Sequence, residues 1–98
     1  MILTILEGHI THEKWSTFEI AFRTEMKHFP THLRETILIQ DTTDKTLWRV
    51  ISIWRSEQDY EQAMQNTDHD TNAVNIYHAV GIEPTRRVFK AVAHHQYV

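Results

Sequence analysis

Residues 47–64 constrain the fold more than any other stretch, because the apolar period changes in the middle of them. The first half, Leu-Trp-Arg-Val-Ile-Ser-Ile-Trp-Arg, is built from aromatic and β-branched residues that suit a pleated, largely buried strand. Leu47, Ile51 and Ile53 fall on one face with Arg49 among them, and Trp48, Val50, Ser52 and Trp54 fall on the other. A strand apolar on both sides belongs in the middle of a sheet covered on both faces. Ser56 then has the character of a helix N-cap: its hydroxyl can accept from the Asp59 backbone N–H, and Glu57 and Asp59 suit the positive end of the helix dipole. The rest of the chain must supply cover for both faces of this strand.

Ninety-eight residues make one domain, residues 1–98, with a modest core, so association is a route to further burial. An apolar content of 41% is that of a globular chain. A formal net charge of −3 and the lack of any Lys/Arg cluster give no electrostatic footprint for nucleic acid. The chain has no cysteine, which excludes disulfides, thiolate metal sites and cysteine nucleophiles. Nothing approaches the roughly 18 consecutive apolar residues of a membrane span. The N-terminus reads as a strand, without the basic start of a secretory signal, so a cytoplasmic location is the default expectation.

Residues 2–10 form the first strand, again apolar on both faces, and Gly8 within it predicts a bulge or a close backbone approach. Thr11 is the expected N-cap of a helix whose stripe is Trp15, Phe18, Phe22, Met26 and Phe29, stopped by Pro30. Residues 33–40 are a strand with Leu33, Ile37 and Ile39 on one face and Arg34, Thr36 and Leu38 on a more polar one, joined as a hairpin to the strand at 47–55. A second helix, about 56–66, packs through Tyr60, Ala63 and Met64. The segment Asp68-His69-Asp70-Thr71 interrupts it, and a further helical run carries Ala73, Val74, Tyr77 and Val80 to a C′ glycine at Gly81. Residues 87–93 are the last strand, which 94–98 extend or leave as a tail.

The order strand, helix, strand, strand, helix, strand predicts an α+β, ferredoxin-like βαββαβ fold. Its four-stranded antiparallel sheet carries helices on one face and has the first and third strands in the centre. Nothing in one copy covers the other face. A second copy packed sheet against sheet is the expected partner, through Leu3, Ile5, Leu47, Ile51 and Ile53 or the opposite set.

The layout, together with Ile-Trp-x-Ser-x-x-x-Tyr entering a helix at residues 53–60, resembles the antibiotic biosynthesis monooxygenase domain of the dimeric α/β-barrel superfamily. The resemblance implies a homodimer with a small-molecule pocket between sheet and helices in each subunit. In the cofactor-independent, quinone-forming members a strand Trp and a Tyr six residues later line that pocket, which places Trp54 and Tyr60 there. The Asn and Arg that those members also carry correspond to Val50 and Val74. The haem-degrading branch is matched less well: its Asn, Trp and haem-ligating His fall near Gly8, Ala63 and Ala73, which argues against haem degradation by that mechanism and leaves His69 and His78 as histidines a pocket could use.

The candidate substrate-binding residues are therefore Trp54, Tyr60 and Tyr77, and the candidate acids or bases are Tyr60 and His78. Trp48 is expected to pack in the barrel or interface. The eight histidines show no metal-ligand spacing. Two readings of function follow. In the first, a pocket binds a small phenol or quinol, a polar group removes its proton, and the carbanion reduces O2 with no flavin or metal. The presence of only two glycines, Gly8 and Gly81, leaves no nucleotide-binding glycine motif and agrees with a site that has no cofactor. In the second, a dimeric module of the same fold binds a small hydrophobic molecule, or serves a stress or regulatory role, without turnover.

Overall fold

The structure, a computed structural model, describes residues 1–28, 32–65 and 71–97. Four strands, β1 (Ile2–His9), β2 (Leu33–Gln40), β3 (Leu47–Trp54) and β4 (Thr85–Lys90), form one antiparallel sheet in the order β2-β3-β1-β4. The helices α1 (Trp15–Met26), α2 (Glu57–Gln65) and α3 (Thr71–His78) pack on one face of it, which is the ferredoxin-like α+β arrangement. The expected stop at Phe29 and Pro30, the helix end at Asn66, the interruption at Asp68, His69 and Asp70, and Val98 lie outside the described residues. No helix among the described residues is long and apolar enough to cross a membrane.

The two central strands are the two that the sequence marks as apolar on both faces. Leu6 lies opposite Val50, and Thr4 opposite Ser52, so Ile2, Thr4, Leu6, Val50, Ser52 and Trp54 turn together toward the helices and are buried. The main core joins Leu6, Ile10 and Val50 to Phe18 of α1 and to Ile76, Tyr77 and Val80 at and after α3. Each such side chain contributes about 1.5–3 kcal/mol on burial. A second cluster gathers Ile2, Leu33, Trp54 and Ala63, with Tyr60 and Met64 against it.

The opposite face carries Leu3, Ile5, Ile51, Ile53, Ile37 and Phe89, none fully buried; Ile37 and Phe89 are 38% and 40% exposed. It also holds an ion network in which Arg49 Nε donates to Glu7 at 3.1 Å and Arg49 Nη1 to Asp41 at 3.5 Å.

Local chemistry explains the junctions. Ser56 Oγ accepts from the Asp59 N–H at 3.0 Å and caps α2. Gly81 takes φ 75°, and the Gly81 and Ile82 N–H groups donate to His78 and Tyr77 carbonyls, closing α3. Gly8 sits in regular register, so the close approach and not the bulge is realised. A Cβ there would meet the Tyr77 ring and Ile82 Cγ2 at 3.0 Å. In the β2–β3 turn, Asp41 Oδ1 accepts from the N–H groups of Thr43 and Asp44 at 2.8 Å.

Four expectations are corrected. Thr11 makes no side-chain cap; a 3-10 turn (His12–Lys14) precedes α1, which starts at Trp15. Leu33 does not share a face with Ile37 and Ile39. The register shifts between Leu33 and Glu35, so Leu33 lies opposite Trp54 under the helices while Ile37 stands on the open face. The last strand runs from Thr85 to Lys90, not 87–93, because its pairing with β1 ends with Lys90 opposite Ile2; beyond it Ala91 N–H donates to Met1 O at 2.8 Å. Trp48 packs beneath the helices against Phe18 and Trp15, not on the open face.

Candidate functional site

Trp54 and Tyr60 come together as expected of neighbours across the β3–α2 junction. Their rings meet edge to face at 5.4 Å. Trp54 is 3% exposed, and its Nε1–H donates to Thr4 Oγ1 at 3.2 Å. Its one donor is used within the protein. Leu33, Ile2, Ala63 and Met64 close around the pair.

Tyr77 stands apart from them. It is 0% exposed, and its hydroxyl lies 3.1 Å from Leu6 O and 3.0 Å from Trp48 O, donating toward the carbonyls of both central strands. Burial pushes its phenol well above the ordinary tyrosine value, so it stays neutral. His78, at the end of α3, is exposed and meets Glu83 at 2.8 Å. The structure thus joins Trp54 to Tyr60 and holds Tyr77 and His78 in separate surroundings. Among the described residues no group of three His, Cys, Asp or Glu side chains is placed to hold a metal ion.

A half-open cleft of about 310 Å3 lies between α1 and the β2–β3 hairpin, lined by Glu19, Phe22, Arg23, Thr36, Leu38 and Trp48. Its volume is near the lower end of small-molecule sites, roughly 300–1,000 Å3, and suits one or two fused rings. Phe18 and Trp15 hold the Trp48 indole from behind, at 5.8 and 5.9 Å and near perpendicular. Glu19 and Arg23, one helical turn apart, pair at 3.5 Å.

Two residues of the cleft wall each carry a polar atom that is sealed from solvent and has no hydrogen-bond partner among the described residues: Trp48 Nε1 and Thr36 Oγ1. The contrast with the other indoles is sharp, because Trp15 Nε1 donates to Ile10 O at 2.8 Å and Trp54 to Thr4. A buried polar group left unpaired costs about 1–3 kcal/mol, so such groups point to something that partners them.

Sequence reasoning did not single out Trp48, Thr36, Glu19 or Phe22 as site residues. One signal was present: Trp48 shares the parity of Trp54 in β3 and so faces the same side. For Thr36 the shift after Leu33 hides which face it takes, and for Glu19 nothing in the helix pattern separates a cleft rim from a solvated flank.

Comparison with known proteins follows the same lines. The family model for antibiotic biosynthesis monooxygenase matches residues 1–73. No curated protein matches the chain. Among solved structures, a Deinococcus radiodurans protein assigned as an antibiotic biosynthesis monooxygenase superposes with TM-score 0.73 at 6% identity, covering 100% of this chain and 99% of that one. A variant of SnoaB, a cofactor-independent oxygenase from Streptomyces nogalater, gives TM-score 0.70 at 12% identity, covering 95% and 94%. Rv0793 from Mycobacterium tuberculosis gives 0.69 at 8% identity, covering 97% and 98%. At such identities the likeness shows a shared fold.

Proposed function

This chain belongs to the antibiotic biosynthesis monooxygenase family, and from that premise we propose that it binds a small aromatic phenol or quinol in the cleft between α1 and the β2–β3 hairpin and oxygenates it without a cofactor. The observation that carries this reading is the cleft itself, whose lining sets an apolar wall of Phe22, Leu38 and Trp48 beside the carboxylate of Glu19. The likeness to SnoaB, a cofactor-independent oxygenase, supports the chemistry.

The reaction needs only substrate and O2. A ring CH2, the keto tautomer of a phenol, loses a proton to a carboxylate, and the resulting carbanion forms a C–O bond to O2. The peroxide takes up a proton, and loss of water leaves a ring carbonyl: CH2 plus O2 gives C=O plus H2O, with all electrons drawn from the substrate. Glu19 is the carboxylate among the described lining residues, and we assign it the base. Trp48, Phe22 and Leu38 exclude water around the ring and hold it in place.

The protein would act as a homodimer through the face of Leu3, Ile5, Ile51 and Ile53, whose apolar residues are only half covered by the described residues of one copy. Sedimentation at micromolar concentration tests this; a stable single copy counts against it.

A second reading, binding without turnover, is favoured by one feature: Glu19 already pairs with Arg23, which holds the carboxylate away from a substrate proton. Oxygen uptake with a panel of quinols separates the two. Oxygenation predicts uptake by the wild type that falls by about 100-fold or more in Glu19→Gln. No uptake with any quinol, alongside retained binding, supports the second reading.

A further inference from the structure

Glu19 and Arg23 line the cleft one helical turn apart on α1, and both reach solvent: their side chains are 55% and 73% exposed. A ligand in the cleft can therefore touch either. Arg23 Nη2 stands 3.5 Å from Glu19 Oε1, and an exposed pair of this kind is held weakly, so exchanging one partner for another costs little. Arg23 is the one cation, and Glu19 the one anion, among the described lining residues.

Proton removal from a ring CH2 breaks a C–H bond and sends the proton to the Glu19 carboxylate. The electron pair left behind is shared between the ring carbon and the carbonyl oxygen. One negative charge thus passes from Glu19 to the substrate oxygen. Beside Phe22, Leu38 and Trp48 that charge is costly unless a cation meets it. In the same step Glu19 becomes neutral and its hold on Arg23 weakens. A guanidinium has several N–H donors in a fixed fork, so Arg23 can release a carboxylate oxygen and donate to the phenolate. The three groups stay neutral in sum throughout.

We propose that Arg23 is the counter-ion of the substrate's phenolate oxygen, exchanging Glu19 for it as the proton is transferred. The substrate is then a phenol or quinol that enters uncharged, with its oxygen at the α1 rim of the cleft; one that arrives as an anion is repelled by Glu19. The assignment rests on the cleft being the phenol site. It gives the ion pair the opposite meaning to a lock that keeps Glu19 from a substrate proton.

4-Nitrophenol, whose ionised form is yellow, reads this charge without turnover. It is bound to the full chain under nitrogen and titrated with base. Glu19→Gln is uncharged, as protonated Glu19 is, and it frees Arg23. The probe bound to this variant should ionise about one pH unit lower than on the wild type, about a tenfold gain for phenolate over phenol. Glu19→Gln/Arg23→Gln should lose that gain, and Glu19→Gln/Arg23→Lys should keep most of it. Equal ionisation of the probe on Glu19→Gln and on Glu19→Gln/Arg23→Gln overturns the proposal, as does failure of the probe to bind. Oxygen uptake adds a sign. With a quinol that the wild type oxygenates, Arg23→Gln should slow uptake by about tenfold. Unchanged or faster uptake marks the pair as a lock and overturns the proposal as well. The two failures look different: without oxygenase activity the probe shift remains while uptake is absent, whereas without the Arg23 contact uptake is present and the shift is missing.

Discussion

Trp54 and Trp48 lie on the same face of the same strand, six residues apart, yet only one of them is finished by the protein. Trp54 is 3% exposed, spends its N–H on Thr4 and meets Tyr60 edge to face. Trp48 is held as firmly from behind by Phe18 and Trp15, but its ring borders a cleft and its buried N–H meets no acceptor among the described residues. The difference comes from what lies above each. The α2 helix and Leu33 close over Trp54, whereas α1 leans over the hairpin beside Trp48 and leaves a gap at Glu19 and Phe22. Trp54 is thus enclosed by structure, whereas Trp48, three repeats of the pleat away, borders open space.

The largest test of this contrast is truncation. Trp54→Ala should cost about 3–5 kcal/mol in denaturant unfolding, and Trp48→Ala clearly less, since its ring already borders open space. Equal losses would remove the distinction. Next is Tyr77→Phe, which withdraws the donor from the Leu6 and Trp48 carbonyls and should cost about 1–3 kcal/mol. The same residue sets a pH dependence. Because burial raises its folded pKa, the stability it contributes is complete below about pH 10, where an unfolded tyrosine titrates, and is lost as pH rises beyond that. Melting curves above pH 9 should therefore fall more steeply in the wild type than in Tyr77→Phe.

A subtler comparison trims each indole to a phenyl ring, which removes the N–H together with part of the ring. Trp54→Phe should destabilise by about 2 kcal/mol, through a cavity and a lost hydrogen bond, while Trp48→Phe should cost about 1 kcal/mol or less, because it deletes a buried donor that has no acceptor beside a cleft that is already open. The smallest effect lies in the hairpin turn. N–H groups of Asp44 and Thr43 hold the Asp41 carboxyl below its ordinary value, and the Thr46 hydroxyl and N–H do so for Asp44. Depressed carboxyls contribute above the unfolded value, about pH 4, and the contribution fades as pH falls through the folded ones. Asp41→Ala should flatten the acid limb of the stability profile slightly and leave the cleft unaffected.

The strand order, the hairpin, the Ser56 cap, the Gly81 stop and the crowding at Gly8 were legible in the sequence because each is local chemistry or strict alternation. What escaped depends on partners distant in the chain. The shift at Leu33 is a compromise between β2 and Trp54 that no glycine announces. The last strand ends with its pairing to β1, at Lys90 opposite Ile2, although residues 91–93 are composed as well for a strand as those before them. Trp48 is expected from the sequence to pack in the barrel or interface, because a tryptophan in a strand carries no mark of whether its N–H finds an acceptor; that is decided by how α1 sits.

The indole N–H signals in a two-dimensional 15N–1H spectrum report on this directly, because the chain has three tryptophans. Titration with 6-hydroxy-1-tetralone, a bicyclic phenol, should shift the Trp48 signal, assigned through Trp48→Phe, because its ring lines the cleft, while the Trp54 signal stays in place. Movement of the Trp54 signal with Trp48 unchanged would contradict the account and return the site to the β3–α2 junction.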